Sequence, residues 1–324
     1  MRIVSHCSTL ILCALLGASL TLAGCQSIMV WGAQVFWRHS PPDVPETVEA
    51  TRDVVFAERP SGALELDVYR PADRSAGPAP VVLYAFGGGW MSGNRHQIVV
   101  LDLLRLVDRG YAVVTAGYRW STDAIFPAQI HDVKAALRWI RAHADERGLD
   151  PDRVAILGPS AGGHLAALAG TSGGVWPLEG ATPDTWPDAS SDVQAVVDYF
   201  GPTALTGYRD QHRANGLGDT DSLIFIDMLV GGPIDADPDL TESVSPLRYV
   251  DPSDPPFLII HGDADPVVPI QQSEQLVAAL ERAGVDVTLR IVEGGDHGSS
   301  EEYASAEMID EIVAFLDRSL GVER

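Results

Sequence analysis

Cysteine is nearly absent from this sequence. Its three copies, Cys7, Cys13 and Cys25, fall within the first 25 residues, so the rest of the chain has no disulfide framework. Lysine is scarcer still, with Lys134 the only one among 22 basic residues. Against 45 acidic residues these leave a formal net charge of −23, which repels phosphate backbones and argues against nucleic acid as a partner. The same balance disfavours docking on anionic membranes through basic patches. A surface that keeps the chain soluble accounts for the charge without any acidic site. No grouping of His, Asp and Glu shows metal-ligand spacing, so neither a metal nor another cofactor is implied. What is present is apolar: 46% of the 324 residues are hydrophobic and 21% charged, enough for one large core or two modest ones and unlike a disordered or fibrous chain.

The N-terminus reads as a targeting segment. Arg2 supplies a positive start, and the apolar run over 10–22 is too short and too weakly flanked for a spanning helix. The run ends in Leu22-Ala23-Gly24-Cys25, which resembles the bacterial lipobox, in which the cysteine after the cut is lipidated. The expectation is a lipoprotein signal peptide over 1–24 and a lipidated Cys25, exported to the cell envelope and held there by its acyl chains. Gln26 rather than Asp after the cysteine resembles an outer-membrane address. Residues 28–37, apolar and aromatic, read as a short helix at the lipid interface or against the domain. The proline-bearing stretch 40–45 reads as a tether, with the folded domain spanning 49–324.

From there strand and helix signals alternate, the pattern of a mostly parallel sheet wrapped by helices. Eight strands are predicted over 53–57, 64–69, 80–86, 111–116, 153–157, 193–200, 256–260 and 287–292, the first two paired antiparallel. Helical spacing covers 97–109, 129–147, 270–283 and 300–320. The segment 202–249 lacks a strand pattern, is rich in Gly, Asp and Pro, and reads as a cap over the ligand side of the sheet.

The strongest chemical signal is Gly158-Pro159-Ser160-Ala161-Gly162, entered from the strand at Arg153 to Leu157 and left through a small-residue helix. In that context a G-x-S-x-G turn is a nucleophile elbow, which exposes Ser160 Oγ at a helix N-terminus. A serine nucleophile needs a base and a carboxylate to orient it, in the chain order Ser, acid, His. Only His297, after the last strand, lies downstream of a well-placed acid. His261 reads as a strand-end hydrogen bonder and His164 as a packing residue, while surface positions suffice for His96, His131, His143 and His212. Two carboxylates open the loop after His261-Gly262: Asp265, farther into the loop, and Asp263, the alternative that commonly caps local backbone. Asp296 adjoins the base but points the other way by sequence. Oxyanion donors are expected from Ala161 N–H and from Gly87-Gly88-Gly89-Trp90, directly after the strand ending at Phe86.

From about Leu64 to Gly298 these stretches, with Phe126-Pro127-Ala128-Gln129 through Trp139, Val197-Asp198-Tyr199-Phe200-Gly201-Pro202 and His261 through Pro269, resemble the α/β-hydrolase esterases of the hormone-sensitive-lipase-like branch. The bacterial acetyl- and feruloyl-esterase-like group is the nearest in pattern. The resemblance implies an α/β-hydrolase fold, a triad of Ser160, Asp265 and His297, oxyanion donors Gly88, Gly89 and Ala161, and a small acyl-ester substrate, with acetyl or feruloyl esters of carbohydrates in view. One departure stands out, because the family pattern reads His-Gly-Gly-Gly and this chain has Phe86 in place of the histidine that braces the glycine loop. That departure is the one feature favouring a non-catalytic surface lipoprotein that keeps the fold for binding. A peptidase of this fold usually carries a large N-terminal propeller, for which the residues between Cys25 and the core leave no room.

Overall fold

Eight runs rich in β-branched and aromatic residues form one sheet in the computed structural model, which describes residues 40–180, 186–217 and 221–323. The strands are β1 (Val48–Arg59), β2 (Gly62–Pro71), β3 (Ala79–Ala85), β4 (Ala112–Ala116), β5 (Leu149–Pro159), β6 (Ala195–Tyr199), β7 (Phe257–Gly262) and β8 (Val287–Val292). Their order is β1-β2-β4-β3-β5-β6-β7-β8; β1, β2 and β4 pair antiparallel and the rest parallel. Every residue of β4 and β6 is buried, as parallel strands covered on both faces require. These eight strands are the eight expected, with ends moved by a few residues.

The helices are α1 (Leu104–Asp108), α2 (Ala128–Ala142), α3 (Ala144–Arg147), α4 (Ala161–Thr171), α5 (Trp176–Glu179), α6 (Tyr208–Ala214), α7 (Asp221–Val230), α8 (Pro238–Val244), α9 (Gln271–Ala283) and α10 (Ala306–Leu320). They cover both faces of the sheet, with α1 against α10 on one and α2 against α4 on the other. Three expected helices are shorter than their spacing suggests. Residues 97–109 begin as a 3₁₀ turn (Arg95–Leu101) and break at Asp102, whose φ is +50°, before α1. The stretch 129–147 splits at His143, whose ring bonds the Trp139 carbonyl (3.0 Å) and competes for the helix's own acceptor. The last helix starts at Ala306, where Ser305 caps it by accepting from Met308 N–H, and Glu301–Ala304 is a separate 3₁₀ turn.

The domain edge also differs from expectation. Pro42 is buried, its carbonyl accepts from the Arg52 guanidinium (2.6 Å), Val44 packs on the core, and Ala72 N–H donates to Thr47 O (2.8 Å). The stretch expected as a tether is thus, from Pro42 onward, part of the domain, because its apolar side chains find core surface. The signal segment 1–24, Cys25 and the helix expected at 28–37 lie outside the described residues.

The reversal of strand order around β3 sets the functional geometry. From β3 the chain goes to β4 on one side and then crosses back to β5 on the other, so the loops after β3 and β5 part at a switch point where parallel sheets hold ligands. The described parts of the segment expected as a cap, 202–217 and 221–249, include residues that lie over that end beside Ser160. The segment's helices α6, α7 and α8 bury Tyr208, Leu223, Ile226, Leu229 and Val244, so it carries apolar packing of its own. Lys134, the sole lysine, is fully buried and donates to Glu179 Oε1 (2.7 Å) and Ser172 O (2.6 Å), tying α2 to the end of α4. Among the described residues no helix is long and apolar enough to cross a membrane.

Candidate active site

Ser160 stands between β5 and α4 with φ 55° and ψ −119°, a left-handed conformation that a side-chain-bearing residue adopts at a cost of about 1–3 kcal/mol. The surroundings enforce it. A Cβ on Gly162 would lie 2.0 Å from Ala85 O, and one on Gly158 would lie 2.4 Å from the Gly162 carbonyl, so only glycine lets the turn press against the end of β3. Ser160 N–H donates to Tyr199 O (2.8 Å), which fixes the turn to β6 as well.

The loops after β7 and β8 deliver the partners. Ser160 Oγ lies 2.9 Å from His297 Nε2, and His297 Nδ1 lies 2.6 Å from Asp265 Oδ2. Because the carboxylate accepts from Nδ1–H, Nε2 is left with a lone pair directed at the serine hydroxyl. Asp265 Oδ1 is held by Val267 N–H (2.7 Å) and Val268 N–H (2.9 Å), so the acid is fixed at both oxygens. Burial alone would raise this carboxyl, but the imidazoles of His297 and His261 outweigh it and hold Asp265 well below the usual carboxylate range. The His297 ring packs on Phe200 at 4.7 Å.

The glycine loop meets the elbow directly: a Cβ on Gly87 would come within 2.9 Å of Pro159 O. Gly88 (φ 127°) and Gly89 (φ 60°) turn their peptides at this point, beside the N-terminus of α4 that begins with Ala161. Phe86 supports the loop in its own way. Its ring stacks on Tyr118 at 4.1 Å and 10°, and Tyr118 Oη–H donates to Phe86 O (2.9 Å). The structure therefore brings Ser160, His297 and Asp265 into one hydrogen-bonded line and sets Gly88, Gly89 and Ala161 around it.

The remaining candidates fall elsewhere. Asp263 is exposed and accepts from Gly294 N–H (2.6 Å), and Asp296 accepts from Ser299 N–H (2.9 Å), both as local caps. His261 is buried between Ser273 Oγ (2.7 Å) and Val268 O (2.9 Å). His212 is not at the surface: it is fully buried, and its Nε2 bonds Val267 O (2.9 Å) on the acid's own loop. Its helix spacing gave no sign of this, because the cap folds α6 onto a loop 55 residues away in sequence. Asp53, Asp67 and His96 offer ligand atoms within 4.8 Å of one another, a grouping invisible in sequence. The Arg95 guanidinium already donates to Asp67 (3.0 Å) and Asp53, so the chain supplies the cation itself.

A cavity of about 20 Å³ opens beside Ser160, lined by Gly89, Trp90, Pro202, Tyr208, Phe225 and Val268 among others. Cap residues thus line part of the site; the sequence put 202–249 over the ligand side of the sheet without marking which of its residues would line it. Larger clefts of about 240 and 500 Å³ lie at the opposite end of the sheet, around Arg70 and Gly148 and around Gly173 and Asp254, so size does not mark the chemistry.

Comparison with known proteins places the chain in a wider set. The BD-FAE family matches residues 66–280. Among curated proteins, the chain is 34% identical over 233 residues to "Esterase LipC" of Mycobacterium tuberculosis, covering 71% of this chain and 54% of that one. It is 36% identical over 222 residues to "Esterase LipQ" of the same organism, covering 68% and 50%. The chain spans about half the length of these curated relatives. Among solved structures, a "truncated form of carbohydrate esterase from gut microbiota" superposes with a TM-score of 0.77 at 31% identity, over 87% of this chain and 100% of that one.

Behind the elbow sits a residue that the sequence pattern contained but assigned no task. Asp198 is fully buried at the end of β6; Oδ1 accepts from Gly201 N–H (2.8 Å) and Oδ2 has no partner among the described residues. Burial, the largest influence, pushes its pKa up to about 6. A carboxyl whose folded pKa exceeds its unfolded value costs stability above the folded value and regains it as pH falls. Replacing it with the uncharged isostere isolates that cost. In urea unfolding, the wild type should gain roughly 2 kcal/mol relative to Asp198→Asn between pH 7.5 and 4.5. A difference that stays flat across this range would show that Asp198 is not a buried charge.

Proposed function

The chain belongs to the BD-FAE family, and from that premise we propose that it is a serine carboxylesterase acting on short-chain acyl esters, with acetylated carbohydrate as the substrate class. The observation that carries the reading is the hydrogen-bonded line from Asp265 through His297 to Ser160. In this reading His297 Nε2 takes the hydroxyl proton as Ser160 Oγ attacks the ester carbonyl. The oxyanion accepts from the N–H groups of Gly88, Gly89 and Ala161, each such donor typically worth about 2.7–4 kcal/mol in the transition state. Collapse breaks the bond to the alcohol, which leaves with the proton from His297 and leaves an acyl group on Ser160. Water then attacks that ester with His297 as base, releasing the acid and restoring the serine. Asp265 keeps Nδ1 protonated throughout, so Nε2 is always the atom that exchanges the proton.

Stereochemistry divides the site. The leaving oxygen must reach His297, so the alcohol lies on the histidine side. The cavity beside Ser160 is lined by Gly89, Trp90, cap residues and Val267-Val268 of the acid's loop, without His297, and in this reading it takes the acyl group. At about 20 Å³ it admits little more than one water-sized group, which suits the methyl of an acetyl ester and favours it over a feruloyl group. The structural likeness to a carbohydrate esterase favours a sugar as the alcohol. The stacked Phe86–Tyr118 pair supplies loop support, so the missing histidine does not favour a non-catalytic reading.

We further propose the envelope lipoprotein expected from Cys25. What supports it is Leu22-Ala23-Gly24-Cys25 at the end of a short apolar run that starts behind Arg2.

Three measurements test these readings. Ser160→Ala should lower kcat on p-nitrophenyl acetate by roughly 10⁴-fold or more with the fold intact by circular dichroism; a wild type that releases no product from any short ester would end the enzyme reading. The ratio of kcat/KM for acetate over hexanoate should fall at least about tenfold in Phe225→Ala, because removing the ring opens the acyl wall. An unchanged ratio would place the acyl group elsewhere. Finally, cells fed a labelled fatty acid should label the wild type but not Cys25→Ser, and equal labelling of both would sink the lipoprotein reading.

A further inference from the structure

Gly88, Gly89 and Trp90 are three consecutive residues at positive φ, 127°, 60° and 58°. Glycine takes these angles freely, whereas a bulky residue in the left-handed region is an outlier that persists only where its surroundings impose it. Trp90 is imposed upon from two sides. Its carbonyl accepts from Ser121 N–H (2.7 Å), and its indole, 3% exposed, donates Nε1–H to His164 Nδ1 (3.2 Å), with the two rings edge to face at 5.1 Å and 89°.

His164 is placed to transmit a position. It sits in the first turn of α4, fully buried, and its backbone N–H donates to Ser160 O (2.9 Å), so the imidazole and the serine ride on one rigid turn. Because Nδ1 accepts from the indole, Nε2 carries the proton, and it donates to Val244 O in the cap (2.8 Å). Burial lowers the pKa to about 4, so the ring stays neutral and keeps its acceptor. Phe86, at the other end of the glycine loop, has no side-chain hydrogen-bonding group; its ring stacks on Tyr118, whose hydroxyl donates to the Phe86 carbonyl (2.9 Å).

We propose that His164 is a positioning residue of the oxyanion site: through Trp90 it holds the Gly88 and Gly89 N–H groups in register with Ser160 Oγ. The proposal rests on the esterase reading of Ser160. Displacing donors by a fraction of an ångström weakens the bond they form to the transition state more than the binding of the ground state. The signature is therefore a loss in kcat with little change in KM.

The test compares Trp90→Phe, which removes the indole N–H together with part of the ring's volume, with His164→Asn, whose amide oxygen stands in for Nδ1, and His164→Leu, which offers no acceptor. Rates are expressed per active site titrated with a fluorophosphonate, so that misfolded protein does not count. Trp90→Phe and His164→Leu should each lose roughly 100-fold in kcat on p-nitrophenyl acetate with KM within about threefold, and His164→Asn should recover at least about tenfold of that loss. In parallel, the Trp90 Nε1–H resonance of the wild type should lie downfield and exchange slowly, and should shift in His164→Leu. An active wild type with Trp90→Phe unimpaired, His164→Asn no better than His164→Leu, or an unperturbed indole resonance overturns this proposal alone. A wild type inactive on every ester overturns it together with the esterase reading.

Discussion

Everything in the site depends on how closely the start of α4 is pressed against the ends of β3 and β6. A Cβ at Gly162 would stand 2.0 Å from Ala85 O, and one at Gly163 would stand 2.3 Å from Asp198 Oδ1. No side chain survives at those separations, so the helix backbone lies directly against the Ala85 carbonyl and the Asp198 carboxylate. That contact holds Ser160 in its strained conformation, brings the N-terminus of α4 beside Gly88 and Gly89, and leaves Asp198 enclosed behind the turn. In the esterase mechanism proposed above, the helix N-terminus adds its partial positive charge to the N–H groups that face the developing oxyanion.

The electrostatics follow from the same enclosure. A chain of net charge −23 has carboxylates in excess, yet the buried ones near the site are individually managed. Asp265 is ionised because two imidazoles and two backbone N–H groups compensate its burial, while Asp198, with one N–H donor, is pushed the other way. Two buried carboxyls on neighbouring strand ends thus have pKa values shifted in opposite directions because of their partners. The ionised one orients the histidine. The other costs stability at neutral pH, consistent with native sites that store strain where geometry matters.

How much of this was legible in the sequence depends on the range of the interactions. The eight strands were readable because their period and composition are local, and Ser160, Asp265 and His297 because the fold imposes a chain order on residues at strand ends. Contacts set by the cap were not readable. The burial of His212 on the Val267 carbonyl, the wall formed by Phe225, and the packing of Pro42 on the domain all join segments whose spacing carries no periodic signal. Helix ends failed for a different reason: the apolar spacing runs on through His143 and Asp102, but a side-chain bond and a positive φ stop the helix. His164 was correctly read as a packing residue, and it is also more than that, since both of its nitrogens are bonded across elements that only the folded chain brings together.

Strain and its return can be weighed at this turn. Ser160 and Trp90 both sit at positive φ, each costing about 1–3 kcal/mol in the folded state. One well-placed oxyanion donor returns about 2.7–4 kcal/mol, but only in the transition state. The cost therefore falls on stability and the gain on rate, and the two are separable only if something other than substrate holds the loop in its strained form. Packing of the indole and imidazole in the core meets that condition, because it is complete before any ester arrives. A loop ordered by substrate would instead draw its strain energy from binding, and part of the rate gain would be lost to it. The preformed arrangement is the one in which the strain at Ser160 and Trp90 does not diminish the transition-state contribution proposed for Gly88, Gly89 and Ala161.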